Sequence, residues 1–180
     1  MLAVRRTCAS NLEYACLMTE IKPANFPADL EHVVAIFREY IAGPSVDLGF
    51  QDYEAEFAAL PGKYAVPDGR LLLAWKGQDV VGCAALRRVD ETTCEIKRVY
   101  VRPAARGENL GRRLVESIIA EARAAGYSRI CLDVLPEFAA AQRIYESLGF
   151  LPAEPVAFNP VPGTRFLALE LSPSRLVDAA

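Results

Sequence analysis

The chain has 180 residues, 52% of them apolar and 24% charged, with a formal net charge of −3. That length fills one core and is short for two. The mild acidity argues against a general nucleic-acid footprint, and no apolar run approaches the roughly 20 residues that span a bilayer. Read in chain order, the pattern is mixed α/β. Residues 1–17 carry Arg5-Arg6 followed by Ser, Asn and Glu where a signal peptide needs an apolar stretch, so they read as an N-terminal extension. The folded domain is expected over residues 18–172, with a tail over 173–180. Residues 20–24 read as a first strand. Asp29 opens a helix with apolar Leu30, Val33, Val34, Phe37 and Ile41, which Gly43-Pro44 ends. Residues 50–60 read as a second, shorter helix. Residues 70–75 and 79–88 form a hairpin about Lys76-Gly77-Gln78, and 95–101 pairs beside it. Leu110, Leu114, Val115, Ile118, Ile119 and Ala122 line one face of a long helix closed by Gly126. Residues 129–134 are a short buried strand, a helix runs on to Leu148, and 166–171 closes the sheet.

The five cysteines, Cys8, Cys16, Cys83, Cys94 and Cys131, have no C-x-x-C spacing. That argues against a zinc site and a disulfide framework and fits a reducing, cytoplasmic setting. The single histidine, His32, lies in the first helix without a second candidate ligand, so it reads as a surface or helix-packing residue and no metal is expected.

The most informative stretch runs from Cys94 to Leu114. It reads as a buried strand, an Arg- and Gly-rich loop, and the start of an amphipathic helix. That order suits a phosphate: the first N–H groups of a helix lack intrahelical partners and carry partial positive charge. Gly107 and Gly111 let the backbone approach an anion, while Arg106 and Arg112 add charge. Arginines at a helix start oppose the dipole unless an anion is present. No Gly-Lys-Ser/Thr follows, so the loop is not a P-loop, and it lacks a dinucleotide G-x-G-x-x-G.

At these residues the chain resembles the GNAT family of acetyl-CoA-dependent N-acetyltransferases. The family's pyrophosphate loop is Q/R-x-x-G-x-G/A, and here it reads Arg106-Gly107-Glu108-Asn109-Leu110-Gly111, with Asn109 at the internal glycine position. Asn is the non-glycine residue that best tolerates a left-handed backbone. Downstream, Ala141, Ile144, Tyr145, Glu146, Gly149 and Phe150 fill the second signature, A-x-x-L/I-Y-E-x-x-G-F. Phe138 stands where the family often has Asn. The resemblance covers residues 19–171. It implies a mostly antiparallel mixed sheet, splayed at its middle strands and flanked by helices.

The same resemblance implies a site. Val99, Tyr100 and Val101 would offer backbone groups to the pantetheine arm. Arg106, Gly107, Glu108, Asn109, Leu110, Gly111 and Arg112 would surround the pyrophosphate. Acetyl would pass directly from acetyl-CoA to a primary amine, which must be neutral to attack, so a base is needed and the leaving thiolate benefits from an acid. Glu95 is the candidate base, on a strand face expected to hold Lys97 and Val99 as well; a carboxylate paired with a basic neighbour is the plainer reading. Tyr145 is the candidate acid, since a phenol near pKa 10 can protonate a thiolate near 8.5 to 9.

The acceptor is open. Asp47, Asp52, Tyr53, Glu54 and Glu56 could attract a cationic amine, whereas Lys97, Arg98 and Arg165 could clamp a carboxylate. A small molecule or amino acid is favoured over a protein. The alternative function is a non-catalytic acyl-CoA sensor of the same fold, for which Asn109 and Phe138 are the supporting departures. Homodimers are common in the family, but no residue here specifies an interface.

Overall fold

The computed structural model describes residues 18–171. The expectations for 1–17 and 173–180, with Cys8 and Cys16, lie outside the described residues.

A seven-stranded sheet forms the centre. Its strands are β1 (Thr19–Pro23), β2 (Arg70–Lys76), β3 (Asp79–Arg88), β4 (Thr93–Val101), β5 (Arg129–Val134), β6 (Leu151–Pro152) and β7 (Arg165–Glu170), in spatial order β1-β2-β3-β4-β5-β7-β6. Every neighbouring pair is antiparallel except β4 and β5. The helices are α1 (Leu30–Ala42), α2 (Tyr53–Ala58), α3 (Leu110–Ala124) and α4 (Ala139–Ser147). The parallel β4–β5 connection carries α3, as a crossover must carry a covering element.

Two cores follow from the two faces. Leu110, Leu114, Val115, Ile118, Ile119 and Ala122 of α3 all pack against Leu86, Ile96, Ile130 and Leu132 of the sheet. On the other face Val33, Ile36 and Phe37 of α1 and Phe57 of α2 meet Leu71, Leu73, Val80 and Ala85. The expected helix-1 stripe therefore shifts slightly: Ile36 is fully buried, and Val34 is only half-buried. His32 is exposed and sets its ring edge-on to Trp75, 5.1 Å between centroids, in keeping with a helix-packing role.

The expected helix over 50–60 is two pieces. A 3-10 turn at Gly49–Gln51 and α2 are separated by Asp52, whose φ of 50° breaks the helical path. Asp29 precedes α1, but its side chain accepts the Asn25 amide at 2.7 Å and does not cap the helix.

Two irregularities in β4 position everything that follows. Its pairing with β5 covers only Thr93–Glu95 against Arg129–Cys131, after which the two strands diverge. Its pairing with β3 slips between Cys83 and Ala85, which face Tyr100 and Lys97. Two residues, Arg98 and Val99, thus oppose the single Ala84, a β-bulge, and Arg98 takes a φ of 57°. The bulge breaks strict alternation, so Lys97 and Arg98 both face α1 and α2. Val99 turns to the α3 side, not to the face of Glu95 and Lys97 that plain alternation suggests.

Candidate active site

The divergence of β4 and β5 opens a cleft with a different chemistry at each end. Past Glu95, the β5-facing edge of β4 has no strand partner among the described residues. This edge includes Val99, Tyr100 and Val101, all half-buried. The Val101 carbonyl is already engaged, accepting from Arg106 Nε at 3.1 Å.

The loop after β4 makes a cradle. Pro103 begins a 3-10 turn, and Arg106 leaves it in extended conformation. Gly107 has a φ of 91°, where a side chain would be strained. Asn109 has φ 58° and ψ 16°, the left-handed conformation expected for a residue replacing glycine there. The first amide of the α3 turn with a carbonyl acceptor is that of Arg113, on Asn109. Among the described residues, the amides of Gly107, Glu108, Asn109, Leu110, Gly111 and Arg112 have none. A row of N–H groups at a helix N-terminus is the arrangement that takes a phosphate.

The surrounding side chains leave that row clear. Glu108 is drawn to Lys76 Nζ at 2.8 Å. Arg112 donates to Glu116 and to Ser147 Oγ, both at 2.8 Å, which ties α3 to α4. Arg113 donates to the Thr19 carbonyl and braces β1. A Cβ placed on Gly111 would meet Ile144 at 3.5 Å and Val101 at 3.9 Å, ordinary contacts, so packing does not require glycine here.

Tyr145 sits on α4 at the other side of the gap. Its side chain is buried and meets the Phe150 ring at 5.5 Å. Burial, reinforced by Tyr40 and Asp133, raises its pKa, so the phenol is protonated throughout the neutral range. Phe138, the other departure from the motif, precedes α4 and packs on the α3 core.

Glu95 lies on the opposite face from Tyr145 and is not in contact with it. Its side chain is 1% exposed. One oxygen accepts from Arg87 at 2.6 and 2.7 Å, and the other from Lys97 at 3.2 Å. The carboxylate is thereby paired with two basic neighbours, the plainer of the two readings of its sequence position. Lys97 also binds Asp133 at 2.9 Å across the opening gap, and Asn159 donates to the other Asp133 oxygen at 2.6 Å. Burial works against both charges, yet each raises or lowers the other: Lys97 ends above its ordinary pKa and Asp133 below.

Arg98, 2% exposed, anchors a second cluster. Its Nε donates to Glu56 at 2.9 Å, its Nη1 to Gln51 at 2.7 Å, and its guanidinium lies 5.3 Å from the Tyr40 ring. Glu56 also accepts from Lys63 and from the Tyr64 hydroxyl at 3.0 Å. Burial opposes the Glu56 charge, but Arg98 and Lys63 overcome it and lower the pKa.

Between these clusters is a cavity of about 200 Å³ lined by Phe50, Gln51, Glu56, Lys63, Arg87, Lys97, Arg98, Asp133, Ala157 and Phe158. Of the acids expected near an acceptor, only Glu56 reaches it. Asp47 caps the Gly49 amide and Glu54 pairs with Arg38. Arg165 pairs with Glu146 on α4. Arg87, Asp133 and Tyr40 were not evident from the sequence, since each gains its place through pairing across strands or helices. Among the described residues the thiols offer no nucleophile: Cys83, Cys94 and Cys131 are free and buried, and burial followed by Glu95 pushes Cys131 up to about 12.

Comparison with known proteins gives the family and the fold. Residues 33–150 match the acetyltransferase (GNAT) family. An uncharacterized N-acetyltransferase of Schizosaccharomyces pombe is 37% identical over 154 residues, 84% of this chain and 94% of that protein. A crystal structure of an acetyltransferase from Streptococcus agalactiae superimposes with a TM-score of 0.67 at 27% identity, covering 85% of this chain and 98% of that one. The yncA protein of Salmonella typhimurium, solved with its cofactor acetyl-CoA, does so with a TM-score of 0.63 at 25% identity, over 90% and 99% of the two chains.

Proposed function

The chain belongs to the GNAT family and is an N-acetyltransferase, and on that premise we propose that it moves acetyl from acetyl-CoA to the primary amine of a small molecule. The observation that carries the reading is the row of amides from Gly107 to Arg112, without acceptors among the described residues, beside the edge of β4 that no described strand pairs. Bound there, acetyl-CoA supplies an activated acetyl thioester. The loop residues Arg106 to Arg112 hold its pyrophosphate, and the backbone of Val99, Tyr100 and Val101 orients its pantetheine arm. The fit is supported by the left-handed Asn109, which keeps the cradle's shape without glycine.

In this account Tyr145 holds a proton at its hydroxyl oxygen for the departing sulfur; its raised pKa keeps that proton in place at neutral pH. Glu95 is the proton acceptor for the amine, working through water because Arg87 and Lys97 occupy its oxygens. Three protonated thiols support direct transfer over an acyl-cysteine route. The same free thiols support a cytoplasmic setting. No helix of the described residues is long and apolar enough to cross a membrane.

Thiol release from acetyl-CoA over a panel of amines tests the reading. Wild type should turn over at least one amine class, and Glu95→Gln should lower kcat with acetyl-CoA affinity retained. Tight acetyl-CoA binding with no turnover of any amine would instead support an acyl-CoA sensor.

A further inference from the structure

The acceptor cavity holds an imbalance of charge. Lys63, Arg87, Lys97 and Arg98 line it, against Glu56 and Asp133, with Glu95 just behind. All three carboxylates already pair with at least one of these cations. Glu95 accepts from two cations, Glu56 from two cations and a tyrosine, and Asp133 from a cation and an amide. Four cations against three carboxylates leave one positive charge without a counterpart among these groups.

The cations differ in what they can still reach. Arg98 and Lys97 have side chains only 1% and 11% exposed and serve the floor of the cavity. Arg87 and Lys63 are 27% and 37% exposed. Both Arg87 bonds leave through Nε and Nη2, so its Nη1 is uncommitted among the described residues. Lys63 has three N–H donors and a single carboxylate partner. Phe158, which also lines the cavity, is 81% exposed, an unusual position for a phenylalanine, and Phe50 lines it half-buried.

We propose that the acceptor carries a carboxylate together with its amine, the carboxylate being taken by Arg87 and Lys63 and an apolar body lying against Phe50 and Phe158. A free amino acid with an apolar side chain has this chemistry. A dicationic or polyamine acceptor does not, because it would add charge to a site already in positive excess. The inference rests on the acetyl-transfer reading and deepens it by naming the acceptor class. It gives the Arg87–Glu95–Lys97 chain a purpose as well. The same arginine that binds the carboxylate is fixed by the proposed base, so the amine is delivered near Glu95 when its carboxylate docks.

The test compares matched acceptors that differ only in the carboxylate: an apolar amino acid, its carboxamide, and the amine left by decarboxylation. Thiol release from acetyl-CoA is followed for each, with acetyl-CoA binding measured on the same protein. The amino acid should be favoured in kcat/KM by roughly tenfold or more, the order expected for one charge-assisted contact. Arg87→Gln and, independently, the more exposed Lys63→Gln should each pull that ratio toward one, mainly through KM. Equal or better turnover of the carboxamide or the decarboxylated amine would overturn the inference while leaving acetyl transfer intact. No turnover of these three alongside turnover of another amine class would overturn the inference alone, and no turnover of any amine despite acetyl-CoA binding would overturn the acetyl-transfer reading with it.

Discussion

The two ends of the cleft are built on opposite plans. The proposed phosphate end is made of backbone: among the described residues six consecutive amides have no acceptor, and the nearby charged side chains turn away to Glu116, Ser147, Lys76 and Thr19. The acceptor end is made of side chains, and nearly every polar group there is paired before any ligand arrives. An invariant ligand group such as a pyrophosphate can be met by a short run of chain in a fixed shape. A specific acceptor needs charges drawn from distant segments, and buried charges persist only when paired. The first end is therefore open and local, and the second is closed and assembled.

Breaking the assembled end should have the largest effect on the fold. Arg98→Ala strands Glu56, 4% exposed, with Lys63 as its one remaining cation. It should cost about 3–5 kcal/mol of stability, the usual penalty for removing one partner of a buried pair. Urea unfolding checks this, and replacing both partners together, as Arg98→Met with Glu56→Leu, should recover part of the loss. If the single variant were as stable as wild type, the cluster would not organise the acceptor end.

Breaking the open end should leave the fold intact and remove the ligand. Gly111→Asp meets only ordinary contacts at its Cβ but sets a carboxylate beside the amide row. Acetyl-CoA affinity should fall by roughly a thousandfold, since juxtaposed like charges cost several kcal/mol. Calorimetry reads it, with circular dichroism as the control for folding. Unchanged affinity in a folded variant would refute the loop assignment.

Tyr145→Phe probes the boundary between the two ends. It keeps the ring packing on Phe150 and removes the proton, so kcat should fall by on the order of a hundredfold with acetyl-CoA affinity held. Equal rates across neutral pH would remove Tyr145 from the mechanism.

The smallest effect concerns acid. The pKa values of Glu56 and Asp133 are depressed in the folded chain, so their contribution to stability is present above the ordinary carboxylate range. It is lost as pH falls through their folded values. Asp133→Asn should therefore make the fall of the urea midpoint below that range shallower than in wild type. An unchanged acid slope would mean that the Lys97–Asp133 pair contributes nothing to it.

The same contrast explains what could be read from the sequence. The conformation of the loop after β4 was legible because its signals are local: strand, Arg, Gly and helix start lie within some twenty consecutive residues. Even the Asn109 substitution could be read as conformational, and its φ of 58° agrees. The apolar stripe of α3 was legible for the same reason, one residue type recurring at one period. The acceptor end was not, because Arg98 reaches Glu56 from 42 residues away and Lys97 reaches Asp133 from 36. The bulge also inverts the alternation on which face assignments depend, which is why Val99 leaves the side of Glu95. Asp52 in left-handed conformation likewise divides a helix that periodicity alone makes continuous.

The account rests on the amide row at Gly107–Arg112 holding a pyrophosphate, and one titration addresses it directly. Acetyl-CoA and S-acetylpantetheine, which shares the thioester arm but lacks the pyrophosphate, are each titrated into the wild-type protein by calorimetry. The account predicts saturable binding of acetyl-CoA and binding of S-acetylpantetheine weaker by a large factor. Equal affinity for the two, or no binding of acetyl-CoA, would contradict it.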